Sequence, residues 1–243
     1  MDALTVFGVA LLTAFATGLG ALPFFFTKRF ERKWLGTANS LAAGLMLGAS
    51  LGLIVEGGRY GMERTALGVV AGIIFIFVSQ RLIDSHGALH LGSLQGADAT
   101  KALLIVGIMT IHSFAEGVGV GVAFGVEEKL GILIGLAIAI HNIPEGLAIS
   151  LVLVPRGTSP RTAAAWSIFS SLPQPLMAVP AFLFVEAFSE FLPIGLGFAA
   201  GAMVWLVAAD LLPEALETTK PSAVAGVVAA SAIAMVLFMV VLL

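Results

Sequence analysis

The chain has 243 residues, 59% of them hydrophobic and only 11% charged, with a formal net charge of −3. That balance excludes an ordinary soluble domain and offers no basic patch for nucleic acid, and it reads as an all-α polytopic membrane protein. Cysteine is absent, which excludes disulfides, thiolate metal sites and cysteine nucleophiles.

Eight apolar runs are long enough to cross a ~30 Å hydrocarbon core as helices. They are residues 3–27, 35–55, 65–83, 100–126, 130–154, 162–185, 191–212 and 222–243. The connections are short, so 1–243 is expected to form a single transmembrane domain. The first run carries no charge, has no basic stretch before it and is followed by Lys28 and Arg29, as in a spanning helix rather than a cleaved leader. Connections after runs one, three, five and seven, with their flanks, hold nine of the twelve Lys and Arg. The positive-inside rule then places both termini on the extracytoplasmic side.

Run two contains Ala42-Ala43-Gly44-Leu45-Met46, and run seven, of opposite direction, contains Ala199-Ala200-Gly201-Ala202-Met203. Two readings stay open: an inverted 3+2+3 repeat, a recurring transporter design, or small residues recurring wherever helices pack closely in lipid. Between runs three and four lie His86 and His90, four apart with Asp84 and Asp98 nearby. They are either an accessory cation site on the cytoplasmic side or solvated loop residues.

Runs four and five write one phrase twice: His112-Ser113-Phe114-Ala115-Glu116-Gly117 and His141-Asn142-Ile143-Pro144-Glu145-Gly146. In each copy His and Glu stand four apart and project from one helix face. The runs are joined through Glu127-Glu128-Lys129, so they form a helical hairpin. At ~1.5 Å per residue both phrases lie roughly 18–20 Å below that turn, facing each other slightly past the bilayer middle. A carboxylate at that depth costs about 2.5–3.5 kcal/mol on insertion scales. A divalent cation shared by His112, Glu116, His141 and Glu145 would offset that cost. The other reading is a local clasp in which each His hydrogen-bonds the Glu of its own helix.

Run six carries Ser170, Ser171, Pro173, Gln174, Pro175 and Pro180. Proline removes a donor and clashes with the carbonyl four residues back, so this helix is expected to bend or open, either lining a cavity or simply kinking. Pro144 frees the carbonyl of Ile140 in the same way. Asp210, near the end of run seven, either meets a cation leaving toward the cytoplasm or is an ordinary acid at a helix end.

The tandem phrases, above all His-Asn-Ile-Pro-Glu-Gly, set in eight spans with outside termini, resemble the ZIP (Zrt-, Irt-like protein) family of divalent-metal transporters, in its prokaryotic-type branch. Ala-Ala-Gly-Leu-Met, Ser-Ser-Leu-Pro-Gln-Pro and Ala-Ala-Gly-Ala-Met through Leu-Leu-Pro-Glu support the resemblance. It implies a transport site between spans four and five made of His112, Glu116, His141 and Glu145. It also implies a neighbouring second metal position drawing on Ser113, Asn142 and Gln174. Members often carry Asn, Asp and Glu at those three places, so the loss of acids here argues for one tightly held ion. A homodimer is implied too, with spans one, four, five and six moving against the other four.

The expected function is transport of divalent transition-metal cations into the cytoplasm across a cell membrane, the inner one in a bacterium. Zinc comes first, and iron, manganese, cobalt or cadmium also suit imidazole and carboxylate ligands. The metal is substrate, and no cofactor is expected. No nucleotide-binding loop occurs, so the chain does not itself use ATP. The alternative is an intramembrane metal-dependent hydrolase working at the same residues with one Glu as general base, although no His-Glu-x-x-His helix occurs.

Overall fold

The computed structural model describes residues 2–27, 31, 33–85 and 97–242. Among them every regular element is helical. In chain order these are α1 (Ala3–Leu19), α2 (Lys33–Ser85), α3 (Ala97–Val126), α4 (Glu128–Leu153), α5 (Pro160–Ser171), α6 (Pro173–Ala187), α7 (Leu192–Leu206), α8 (Leu212–Thr218) and α9 (Pro221–Leu242). Among the described residues six segments are long and apolar enough to cross a membrane, and α1 is a shorter apolar helix. The chain is thus a multi-pass membrane protein.

Proline and glycine decide where the apolar runs break. α1 starts on Asp2, whose carboxylate accepts the Thr5 N–H, but it stops well short of residue 27. Pro23 cannot continue an α-helix, and the chain passes into a 3-10 turn, Leu22–Phe25. The expected loop between residues 55 and 65 is instead one residue wide. Within α2 only Gly61 leaves helical geometry, at φ 154° and ψ 99°, a conformation that side chains other than glycine's rarely allow.

Contacts on either side of Gly61 give the direction of each half. Before it, Gly36 abuts Thr219 and Gly57 faces Leu196, so this half runs antiparallel to the α7–α8 segment. After it, Gly68 abuts Ile194 and Gln80 donates to Asp210, so the second half runs parallel to that segment. The two halves of α2 therefore run antiparallel to each other.

Run six breaks at Leu172, immediately ahead of Pro173, into α5 and α6. Run seven continues past residue 212: one π turn, Val207–Leu211, links α7 to α8. α3 and α4 are joined by Glu127 alone, in extended conformation.

Small residues let these helices touch backbone to backbone, the main source of packing where lipid removes the hydrophobic drive between helices. α3 meets α6 with Gly121 against the Ala178 backbone, and the first half of α2 meets α9 with Gly44 against Val228 and Ser231. A continuous apolar core, including Met46, Leu53, Val120, Phe124, Ile134, Ile138 and Met203, fills the interior. Large apolar side chains such as Leu4, Phe15 and Val240 face outward, as lipid contact requires.

Candidate metal centre

Each tandem phrase ends in Glu-Gly, and the glycine explains how the glutamate becomes enclosed. A Cβ on Gly117 would overlap the backbone of Gln174, and one on Gly146 would overlap the carbonyl of Thr17. Without those atoms, α6 closes against α3 beside Glu116, and α1 closes against α4 beside Glu145. His112, Glu116 and His141 are consequently fully buried, and Glu145 is 1% exposed.

The α3–α4 hairpin brings all four side chains to one point, with one ligand atom from each lying within 4.8 Å of the others. Their partners differ. Glu116 Oε1 accepts from His141 Nε2 at 2.5 Å and lies 3.2 Å from His112 Nε2, close but without hydrogen-bond alignment. Glu116 Oε2 accepts from Gln174 Nε2. Among the described residues, neither oxygen of Glu145 has a hydrogen-bond partner, nor does either ring nitrogen of His112. A buried carboxylate left unpaired is strongly unfavourable, and the four side chains together could hold a cation. Two imidazoles and two carboxylates suit zinc and similar divalent metals.

The neighbours expected at a second position lie against this cluster. Ser113 Oγ is buried without a hydrogen-bond partner among the described residues. Asn142 Nδ2 donates to Thr13 O at 2.9 Å and to Gln174 Oε1 at 3.3 Å. Gln174 Oε1 also faces Thr13 Oγ1 at 2.5 Å. Thr13 was not anticipated; its only signal was Thr13 and Thr17 standing four apart in the apolar run, and Thr17 pairs with Ser171 at 2.8 Å.

Asp210 lies apart from the four. It sits in the π turn, where Gln80 Nε2 donates to it at 2.5 Å and Trp205 Nε1 donates to Gln80 Oε1 at 2.9 Å. It lines a cavity of about 280 Å³ with Asn39, Glu214 and Glu217, and the cavity also touches Met109 and Ile149. Those two residues are one helical turn from His112 and Glu145, although none of the four clustered side chains lines the cavity itself. On the other side, toward Glu127, buried Val120, Phe124, Leu130 and Ile138 close the interior. His86 and His90 lie outside the described residues.

A family model described as "ZIP Zinc transporter" matches residues 84–243. An Arabidopsis thaliana protein with a zinc-transporter name is 51% identical over 224 residues, which cover 90% of this chain but 36% of that protein. The chain thus spans about a third of that relative's length. Zinc transporter GufA of Myxococcus xanthus is 34% identical over 220 residues, covering 84% of this chain and 86% of that protein. Zinc transporter ZupT of Corynebacterium glutamicum is 29% identical over 253 residues, covering 95% and 96% of the two chains. With a match of this extent the chain belongs to the ZIP zinc transporter family, a family of transporters and not of enzymes.

Proposed function

We propose that this protein carries divalent transition-metal cations, zinc foremost, across a cell membrane into the cytoplasm, binding them at His112, Glu116, His141 and Glu145. The observation that carries the reading is the convergence of four buried donors within 4.8 Å, with both oxygens of Glu145 lacking a hydrogen-bond partner among the described residues. Iron, manganese, cobalt and cadmium fit the same ligand chemistry.

The surroundings support a pathway. Buried apolar side chains lie on one side of the cluster, and the acidic cavity lies about one helical turn away on the other. The Lys/Arg bias favours the cytoplasmic face for that cavity, with Asp210 as the acid that meets a departing cation. Ser113, Asn142 and Gln174 flank the ion without adding charge.

Counting α2 as two spans, α5–α6 as one and α7–α8 as one gives eight spans. Both termini then lie outside, in an inverted 3+2+3 arrangement that makes 1–243 one transporter domain. The protein works as a homodimer, in the inner membrane if the source is bacterial.

Zinc uptake into proteoliposomes containing the purified protein tests this. Glu145→Ala and His141→Ala should each lower uptake by about a hundredfold or more, the factor that ~2.7 kcal/mol represents. Uptake near the wild-type rate by either variant, at equal reconstitution, would overturn the proposed site.

A further inference from the structure

Glu116 reaches α1 through a chain of three polar side chains with no exposure above 1%: Glu116, Gln174 and Thr13. The direction of each hydrogen bond follows from what its partners are able to do. An ionised carboxylate only accepts, so the Gln174 amide must turn its N–H toward Glu116. The Thr13 carbonyl also only accepts, so Asn142 turns its amide nitrogen there, and that NH2 group also donates to Gln174 Oε1. The Thr13 hydroxyl lies 2.7 Å from Ala10 O and 2.5 Å from Gln174 Oε1 and shares its single proton between them. The Gln174 oxygen therefore points away from the cluster, held by two donors, and its nitrogen points in.

We infer that Gln174 is a positioning residue, not a ligand: its N–H, aimed by Thr13 and Asn142, holds one oxygen of Glu116 and brings no charge of its own, and the site therefore takes a single ion. The inference rests on the transport-site reading above. Charge agrees with it. Glu116 and Glu145 together balance one divalent ion, whereas a second would leave about +2 in a low-dielectric site beside neutral Ser113, Asn142 and Gln174. Thr13 acts through Gln174, so a residue on α1 sets how well Glu116 is aimed although it never meets the metal.

The experiment uses full-length protein purified in detergent, loaded with zinc and dialysed. Zinc is counted per chain, and affinity is measured by competition with a chelating dye. Wild type should hold one zinc and Gln174→Glu two, because the new carboxylate removes the donor and adds charge. Thr13→Val should hold one zinc with affinity about three- to tenfold weaker, the loss expected for one buried hydrogen bond of ~1 kcal/mol. Thr13→Ser, which keeps the hydroxyl, should stay within about twofold of wild type. Ser167→Ala removes a buried hydroxyl bonded only within its own helix, and should leave affinity unchanged.

Two zinc ions per wild-type chain would overturn the inference, as would a single ion in folded Gln174→Glu or equal affinity in Thr13→Val and Thr13→Ser. If Gln174→Glu does not fold, the Thr13 pair decides alone. Wild type that binds no zinc, or Glu145→Ala that keeps wild-type affinity, would defeat the underlying reading of the site, a result separable from failure at Thr13.

Discussion

The two copies of the His/Glu phrase are alike in sequence and unlike in surroundings. In the first, Glu116 is held by His141 and Gln174 and approached by His112, and Phe114 stacks on Phe75 of α2 with ring centroids 5.3 Å apart. In the second, Glu145 has no hydrogen-bond partner among the described residues, and Ile143 is 40% exposed. One carboxylate is preorganised and the other waits. Under the proposed function that division would serve binding and release: the fixed carboxylate would supply geometry, and the unpaired one would gain most from a cation's arrival.

The strongest way to break this comparison is through the glycines that enclose both glutamates. Gly146→Ala and Gly117→Ala would each drive a methyl group into backbone that cannot yield, and should cost about 3 kcal/mol or more, as overpacking does at its upper end. Both should appear as loss of folded protein in size-exclusion chromatography. Gly226→Ala, which meets nothing within 4 Å, should behave as wild type.

A sharper comparison neutralises each carboxylate in turn. Glu116→Gln disturbs a satisfied network and should lower the melting temperature of the metal-free protein, by the equivalent of about 1–3 kcal/mol. Glu145→Gln changes a carboxyl group that has no hydrogen-bond partner among the described residues, so the metal-free protein should melt at the wild-type temperature or above it. Both variants should lose zinc binding. Equal destabilisation by the two would erase the distinction between them.

The smallest effect expected is that of pH. Both imidazoles must be neutral to bind metal, so protons compete with zinc and affinity should weaken by about tenfold or more between pH 7.5 and 5.5. Affinity that stays flat across that window would argue against imidazole ligands.

The His/Glu cluster was legible in the sequence because i, i+4 spacing and matched depth are both properties of straight helices, and α3 and α4 remain helical across both phrases, even through Pro144. The breaks were partly legible. Proline marked the end of α5 and the α1 terminus lay near Pro23, but nothing local said that the α2 reversal would need only Gly61. Thr13 was hidden because its role depends on α1 closing on Gly146, a tertiary contact. Asp210 was placed at the end of a helix that in fact continues to Thr218, because a π turn leaves no clear mark in hydrophobic periodicity.

That π turn sets the rotational phase of everything after it. A π turn carries one residue more than an α turn, and each helical residue advances the face by ~100°. Asp210, Glu214 and Glu217 all line the same cavity, so their shared facing depends on the extra residue as much as on the carboxylates themselves. Deleting Ala208 would leave every acid in the sequence and yet swing Asp210 and the acids of α8 by about a quarter turn relative to α7. For the mouth of this protein, a change in the count of residues is a larger alteration than a change in the kind.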